Sequence, residues 1–396
     1  MQKTPKAKPL FTIWQRLGFT SRRITEPAPS FSITVIIPAW NEEASIAATV
    51  ASIQKQTYPI SEIIVVDDYS SDRTGEIARS MGATVVRTNV NQGTKARAQN
   101  YVLPQVTTEL FATIDGDTTL PPNAIEEAMR FYLDPETVMV CSFVIPAKIE
   151  SVWERGRFIE YLFGLTVLKP GQNNANVVTV SSGCFTIFRT SQARLLGGFK
   201  SRTMAEDMDM TWENAELGKK RGRVYFAPEA ICYPVEPPTY DIFYKQVYRW
   251  HAAFLQNIGV RHFKKKEGAD GYEFRPFNLF SIMSKRMALI IYVYLAIAIL
   301  NALYTPLEFL FLWFVLNRYT EHGLWWTMGV TAGLQILLVW VPILFKAWKL
   351  KMLKKAIASI PAFFVVQTVN IYIFFIAFRH EWLPGGKRLN VWQKGH

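Results

Sequence analysis

Short apolar runs alternate with helix-like segments between residues 33 and 144. The first run, residues 33–37, ends at Pro38, and residues 41–43 supply a cap and first-turn acids for a helix to about Gln56. Further strands are predicted at 62–66, 83–87, 110–114 and 138–144, with helices at about 72–81, 93–102 and 121–133. This alternation predicts an α/β sandwich with a mainly parallel sheet.

Residues 151–168 show a second kind of pattern. Aromatic and apolar residues such as Trp153, Phe158 and Leu162 recur there at helical intervals, with charges between them. A helix lying on a membrane surface and a helix packed on the protein core would both show this stripe.

A third pattern begins at Met287, where the apolar stretches become long and carry few charges. Membrane spans are predicted at 287–303, 324–345 and 360–378, with a partial span at 307–316. The predicted organisation is a basic N-terminal segment (1–30), a cytoplasmic α/β domain with interfacial helices (31–276), a transmembrane region (277–379) and a basic tail (380–396).

Basic residues orient these spans only in part. Lys285 and Arg286 place the start of the first span in the cytoplasm, and both the five lysines between 346 and 355 and the tail after Arg379 require the same side. One intervening span cannot satisfy both of these flanks. Either the last segment re-enters the membrane or lies in its interface, or the lysine-rich stretch lies outside. The expectation is a multi-pass cell-membrane protein with a cytoplasmic tail.

The net charge of +12 fits either a nucleic acid or an anionic membrane surface. No nucleic-acid-binding module is recognisable, and the apolar C-terminal third favours membrane lipid as the partner. Cys141, Cys184 and Cys232 are far apart in sequence without paired or metal-ligand spacing, which indicates a reducing compartment. Residues 1–30 have no apolar core long enough for a signal peptide, so they are a surface-bound segment or a flexible basic tail.

Acidic residues follow two of the predicted strands. Asp67 and Asp68 end one of them, and Asp115 and Asp117 come directly after the apolar run 110–114. The carboxyl ends of parallel strands meet at one edge of a sheet, where ligands collect. Carboxylates at the end of a buried strand need a positive partner, and hard cations such as Mg²⁺ or Mn²⁺ accept oxygen ligands and bridge them to phosphates. A surface turn is the alternative interpretation of the triplet at 115–117.

Four motifs stand in order along the chain. They are the acidic turn at 65–72, the triplet at 115–117, the acidic run at 205–209 and the segment Gln-Val-Tyr-Arg-Trp at 246–250. Together they resemble family 2 glycosyltransferases. The last motif, followed by apolar spans, resembles the processive synthases that make cellulose, chitin, hyaluronan or poly-N-acetylglucosamine.

The resemblance implies a GT-A type, nucleotide-diphospho-sugar transferase-like fold and a donor site. Asp67 or Asp68 would contact the uracil and ribose of a UDP-sugar, and Asp115 with Asp117 would hold Mg²⁺ or Mn²⁺ on its diphosphate. Lys95, at a predicted helix start, matches a nucleotide-contacting lysine in many relatives. A solvated lysine at a helix end is the alternative.

The same resemblance assigns the general base. Asp207 would take the proton of the acceptor hydroxyl, and Glu206 would shape the acceptor side. The family often has Thr where this chain has Ala205, so a hydroxyl contact is missing while the base remains. Helix capping is the alternative for Asp207, and the favoured reading of Asp209.

Gln246, Arg249 and Trp250 fall at i, i+3 and i+4, so on a helix they share one face. Gln246 and Arg249 would contact the nucleotide sugar, because arginine offers a planar fork for phosphate oxygens, and Trp250 would stack on an acceptor sugar. Membrane anchoring by the aromatic residues is the alternative. The segment 181–185 fits the acceptor side of the same family, with Cys184 as a small packing residue.

The sequence therefore predicts a metal-dependent inverting glycosyltransferase that transfers sugar from a UDP-sugar to a growing β-linked polysaccharide at the membrane. One alternative is transfer of a single sugar to polyprenyl phosphate or diacylglycerol, and another is a non-catalytic nucleotide-binding scaffold. No span is predicted before the catalytic region, so an oligomer or an export partner would be needed to complete a polymer channel.

Overall fold

The structure is a computed structural model that describes residues 24–218, 221–265, 272–299 and 339–383. The predicted basic segment before residue 24, the partial span at 307–316 and the tail after residue 383 lie outside the described residues. So does most of the span predicted at 324–345.

The first half of the sheet follows the predicted strand–helix alternation. Its strands run parallel in the order β3-β2-β1-β4. The strands are β1 (Ile33–Ala39), β2 (Glu62–Asp67), β3 (Thr84–Arg87) and β4 (Leu110–Ile114). The accompanying helices are α1 (Ile46–Gln54), α2 (Thr74–Ser80), α3 (Lys95–Val102) and α4 (Ala124–Met129). The predicted cap at Asn41 is wrong, because α1 begins five residues after Asn41. Asn41 instead has a φ of 54°, and its side chain accepts a hydrogen bond from the Ser71 backbone at 2.9 Å.

The second half of the sheet corrects the prediction of a mainly parallel sheet. The full order is β3-β2-β1-β4-β7-β6-β8-β5, and β7 runs antiparallel to both β4 and β6, so the sheet is mixed. Strands β4 and β6 end at the same edge of the sheet, and β7 begins at that edge, so it runs antiparallel to both. The segment between β6 and β7 contains helices, but it does not cross to the opposite edge as a parallel connection would. The added strands are β5 (Thr118–Thr119), β6 (Thr137–Val144), β7 (Phe185–Arg189) and β8 (Arg223–Pro234).

Helices cover this sheet and extend beyond it. Those between β6 and β8 are α5 (Val152–Phe163), which passes through a π-helical turn into α6 (Lys169–Asn174), then α7 (Thr190–Leu195) and α8 (Glu206–Glu216). Those after β8 are α9 (Tyr240–His262), α10 (Leu279–Ile282), a helical segment at 285–299, α11 (Val341–Lys349) and α12 (Leu353–Trp382). A small hairpin of β9 (Phe263–Lys265) and β10 (Tyr272–Phe274) follows α9.

Helix α5 packs on the protein core. A capping box of Ser151 and Glu154 starts it, and Phe158 and Leu162 are fully buried. Gly156 meets α12 at close range, because a Cβ at this position would lie 2.2 Å from Val366 Cγ2. The aromatic stripe predicted at 151–168 is therefore used for packing between the sheet and α12.

Within the described residues, α12 is the one helix whose length and composition would allow it to cross a membrane. Only 28% of its most apolar window is buried, and Phe364, Tyr372 and Phe375 are exposed on it. Both of its ends contact the α/β domain: Ala356 belongs to the main core, and Glu381 accepts a hydrogen bond from Gln256 of α9 at 3.0 Å. The multi-pass arrangement stays a prediction.

Candidate active site

Four charged side chains meet at the carboxyl edge of the sheet. Lys95, at the start of α3, places its Nζ 2.5 Å from Asp115 Oδ1 and 3.4 Å from Glu206 Oε1, and donates to the Gly183 carbonyl at 2.7 Å. Asp207 is the next residue of α8 and its charge also acts on Lys95. Lys95, Asp115, Glu206 and Asp207 are referred to below as the Lys95 cluster.

The segment before β7 joins the parts of this cluster. A Cβ on Gly183 would lie 3.0 Å from Asp207 Oδ2 and 3.3 Å from Lys95 Nζ, so the absence of a side chain allows the two groups to approach. Ser181 donates to the Asp207 carbonyl at 3.2 Å, and Thr211 donates to the same carbonyl at 2.7 Å. The start of α8 is thereby fixed beside the ends of β4 and α3.

Electrostatics in the cluster favour an Asp207 carboxyl that exchanges protons near neutrality. Burial and then the charge of Glu206 raise the pKa of Asp207 to about 7, although Lys95 and the Met208 backbone N–H oppose the shift. Burial alone would lower the pKa of Lys95, but Asp115, Glu206 and Asp207 outweigh it and raise that pKa. The lysine is therefore a permanent cation among three acids.

Asp117 belongs to the same site. Burial, followed by the charges of Asp115 and Glu236, raises the pKa of Asp117 to about 7, while Lys95 opposes the shift. Because the charges of Asp115 and Lys95 act on both Asp117 and Asp207, the two aspartates lie on one side of the domain. Their predicted placement around one cavity is compatible with this geometry.

A divalent cation fits the carboxylates of Asp115 and Asp117. The negative charges that raise the pKa of Asp117 are those that a cation would neutralise. Magnesium sites often use one or two protein carboxylates, with phosphate oxygens and water as the remaining ligands. Across the described ranges, no group of three or more His, Cys, Asp or Glu side chains is arranged to hold a metal ion. The two aspartates would thus need a phosphate ligand to complete the coordination.

Asp67 and Asp68 lie at the end of β2 and hold the neighbouring loops. Fully buried Asp67 pairs with Arg87 at 2.5 Å and accepts from the Ser70 backbone at 2.9 Å. Asp68 accepts from the Gln92 backbone at 2.9 Å, and burial raises its pKa. Both carboxylates therefore have partners within the protein. Their contacts with uracil and ribose remain predictions.

Asp209 faces away from the Lys95 cluster. It is fully buried and pairs at 2.8 Å with both Arg202 and Arg261. Burial alone would raise the pKa of Asp209, but the two arginines outweigh it and lower that pKa. Asp209 therefore has a structural position, as the sequence favoured, although ion pairing rather than helix capping provides it.

Gln246, Arg249 and Trp250 lie on α9 and are half-buried. The Arg157 guanidinium of α5 lies over the Trp250 ring, 4.2 Å from its centroid, and covers one face. Gln246 Oε1 is buried without a hydrogen-bond partner. A sugar could therefore stack on Trp250 only from the face opposite Arg157.

Sequence reasoning missed several residues near this site. Arg157 and Glu236 are buried charges and Glu160 is a partly buried one; Arg157 and Glu160 are three residues apart among the apolar positions of α5, a spacing that could have indicated an internal ion pair. Tyr69, with a φ of 61°, exposes half of its ring beside Asp68. The structure also brings Cys184 and Cys232 together.

These two thiols, far apart in sequence, have their sulfur atoms 3.6 Å apart. The hydrogen bond between them, and then burial, raise the pKa of Cys184, which fits the packing role predicted for it. Both are free cysteines.

Comparison with known proteins identifies the domain. The family model described as glycosyl transferase family 2 matches residues 34–196, a range that begins in β1 and includes the 115–117 triplet and β7. A poly-beta-1,6-N-acetyl-D-glucosamine synthase from Staphylococcus epidermidis is 27% identical over 308 residues, covering 73% of this chain and 71% of that protein. A synthase with the same description from Staphylococcus aureus strain COL is 26% identical over 278 residues, covering 68% of this chain and 64% of that protein.

A solved structure supports the fold. The mannosyltransferase from Pyrobaculum calidifontis in complex with GDP-Man and Mn²⁺ matches 90% of this chain and 94% of its own length, with a TM-score of 0.56 and 21% identity. At this identity the similarity shows the GT-A-like architecture alone. Residues 34–196 thus form a domain that matches glycosyl transferase family 2, and the chain resembles the poly-beta-1,6-N-acetyl-D-glucosamine synthases.

Proposed function

We propose that this enzyme is an inverting, metal-dependent transferase that moves N-acetylglucosamine from UDP-N-acetylglucosamine to a growing β-linked polysaccharide. The observation that carries the proposal is the Asp207 carboxyl, which lies in one cluster with Lys95 and Asp115 and has a pKa of about 7. The choice of sugar is supported by the staphylococcal relatives, whose names specify a polymer of N-acetylglucosamine.

Asp207 is the base in this proposal. The acceptor hydroxyl oxygen attacks the anomeric carbon while the bond from that carbon to the phosphate oxygen breaks, and its electron pair leaves with UDP. The hydroxyl proton passes to Asp207 and then to solvent. A base whose pKa lies near the working pH is suited to this step, and such catalysis typically contributes about 10²–10⁴-fold.

The donor side uses Lys95, Asp115 and Asp117. Lys95 is a partly buried cation whose pKa is raised by its acidic neighbours, so it keeps its charge beside an arriving diphosphate. A bound Mg²⁺ or Mn²⁺ would neutralise charge on the leaving diphosphate, and Asp115 and Asp117 would hold it. Asp68 and Tyr69 directly follow β2, and the predicted contacts would place the uridine of the donor at this position.

The acceptor side uses α9. Trp250 would present its uncovered face to a sugar ring, and Gln246 would supply its unpartnered amide oxygen to a sugar hydroxyl. Glu206 contacts Lys95, so its role lies closer to the donor than the sequence predicted.

A membrane location is part of the proposal. The exposed apolar side chains of α12, with lysines 346–355 before them, suit contact with an anionic bilayer. The catalytic domain would then face the cytoplasm, where UDP-sugars are available, and the additional spans would be those predicted from the sequence at 287–303 and 324–345.

The test is incubation of the purified full-length protein with Mn²⁺ and a panel of labelled UDP-sugars, followed by sizing of the product. Long polymer formed from UDP-N-acetylglucosamine would support the proposal, and EDTA should abolish its formation. A single labelled lipid would instead establish glycolipid synthesis. Nucleotide binding without turnover of any donor would establish the scaffold alternative.

A further inference from the structure

A buried ionic network connects α12 to the candidate acceptor site. Arg157, only 4% exposed, lies over Trp250 at 4.2 Å and pairs with Glu160 at 2.6 Å and Glu236 at 3.6 Å. Tyr161 donates to Glu236 Oε1, the other oxygen of this carboxylate, at 2.7 Å. The guanidinium is therefore fixed on one side by acids and on the other by an aromatic face.

Glu160 is in turn held by the apolar helix α12. Gln367 donates to Glu160 Oε1 at 2.6 Å, and Asn370 donates to the same oxygen. These two residues lie in the mainly apolar middle of α12, and their amides point at a partly buried carboxylate of the catalytic domain. A continuous contact path thus leads from α12 through Glu160 and Arg157 to Trp250.

The network has unused hydrogen-bonding capacity. Arg157 Nη2 and Gln246 Oε1 are buried without a hydrogen-bond partner, and Arg157 Nε and Glu236 Oε2 form an ion pair at 3.6 Å that is too long for a hydrogen bond. Buried polar atoms in native proteins are normally hydrogen-bonded, so a network that served stability alone would pair them. Because the Arg157 guanidinium lies over Trp250, its unpaired nitrogen indicates that the network serves the site.

We propose that Arg157 is a positioning residue for the acceptor: it fixes the Trp250 ring so that only its opposite face can receive a sugar, and α12 sets its position through Glu160. This inference rests on the acceptor role proposed for Trp250. Lysine cannot replace arginine in this geometry, because it has neither a planar face for the ring nor a fork for two carboxylates.

The chain offers a matched control. Arg261 is also buried, lies over a tryptophan (Trp212, 5.2 Å) and pairs with Asp209 and Glu216. Trp212 is itself only 1% exposed, so this second Arg–Trp contact has no open ring face for a ligand. Arg157→Lys and Arg261→Lys therefore make the same chemical change, the first beside the partly exposed Trp250 and the second beside the buried Trp212.

The experiment measures steady-state kinetics of the full-length protein with UDP-N-acetylglucosamine and a β-1,6-linked N-acetylglucosamine tetrasaccharide as the acceptor probe. Arg157→Lys should raise the acceptor KM about tenfold or more and leave the donor KM unchanged. Glu160→Gln should raise it less, and the double variant should be no worse than Arg157→Lys, because both act along one path. Arg261→Lys should lower the melting temperature without changing the acceptor KM.

Three results separate the failure of this inference from failure of the acceptor role proposed for Trp250. If Trp250→Ala raises the acceptor KM while Arg157→Lys leaves it within twofold, Arg157 does not position the ring. The inference is equally overturned if Arg157→Lys and Arg261→Lys change only the folded fraction, to the same extent. If Trp250→Ala itself leaves the acceptor KM unchanged, the acceptor role of Trp250 is wrong.

Discussion

The two sides of helix α8 carry similar residues in opposite electrostatic settings. On one side, Asp207 lies with Glu206 and Asp115 around a single cation, Lys95. Two residues along the helix, Asp209 lies between two arginines. The pKa of Asp207 is raised to about 7, whereas the pKa of Asp209 is lowered.

This difference teaches how to separate a functional acid from a structural one. Asp209 has its charge neutralised inside the protein by Arg202 and Arg261, so it needs no ligand and can stabilise the fold. The Lys95 cluster has more acids than cations, and the excess has to be met by a proton or by a bound ion. A partly buried cluster with an excess of one charge, at a strand edge, is therefore the stronger indication of a site.

The largest expected effect is the loss of activity when Asp207, on the first side of α8, is replaced. Asp207→Asn removes the proposed base and should lower kcat by about 10³-fold, within the range typical of general-base catalysis. UDP affinity, measured by calorimetry, should stay within twofold because no nucleotide contact is assigned to this carboxylate. Unaffected turnover would refute the assignment of the base.

The next largest effect is the loss of stability when Asp209, on the second side of α8, is replaced. Asp209→Asn leaves the Arg261 guanidinium buried with only Glu216 as a carboxylate partner and should cost about 3–5 kcal/mol of unfolding free energy. Chemical denaturation in detergent measures this loss. The folded fraction should keep kcat within about threefold, and a loss of kcat as large as that of Asp207→Asn would mean that the two sides are not functionally distinct.

A smaller effect sharpens the comparison through pH. Lys95 lowers the pKa of Asp207, so Lys95→Gln should move the acid limb of kcat/KM from about pH 7 to higher pH, by roughly one unit. The measurement is the pH–rate profile at saturating Mn²⁺, with Arg97→Gln, an exposed position on the same helix, as the control. An unmoved limb would show that Lys95 does not act on the titrating group.

The smallest effect is on stability and has opposite signs on the two sides. The folded-state pKa of Asp207 is raised, so its protonation stabilises the fold at acid pH and this contribution is lost as pH rises through about 7. The folded-state pKa of Asp209 is lowered, so its contribution is present above the ordinary aspartate pKa and is lost as pH falls. In EDTA, Asp207→Asn should therefore melt a few degrees above the parent protein at pH 8, by less at pH 5, and level with it below the ordinary aspartate pKa. A higher melting temperature at pH 5 only would contradict the sign.

Much of the fold could be predicted from the chain alone where the pattern was local. Strands β1, β2, β3, β4 and β6 lie within two residues of their predicted bounds, because each is a short apolar run that ends at a turn residue. Strand β7 was missed as a strand, and with it the mixed character of the sheet. Its direction depends on which edge the chain returns to after the helices 151–174, and no local pattern records that return.

The candidate site divides in the same way. The acids at 115–117 and 206–209 could be singled out by type and order, but the sequence could not tell which carboxylates would be neutralised by distant cations. Arg87 reaches Asp67 and Arg261 reaches Asp209 from 20 and 52 residues away, and each pairing exists only in the folded chain. The pairing of Asp67 with Arg87 therefore had no signal in the sequence.

The sequence by itself determined the order of the motifs, the resemblance to family 2 glycosyltransferases that this order carries, and the strand-end positions of the acids, because these follow from residue type and local periodicity. Only the tertiary structure decided that Lys95, Asp115 and Asp207 meet, that Arg157 covers one face of Trp250, and that α12 reaches the site through Glu160. The physical reason is that burial and electrostatic pairing depend on distances between segments far apart in the chain, and those distances are set by packing rather than by any local pattern.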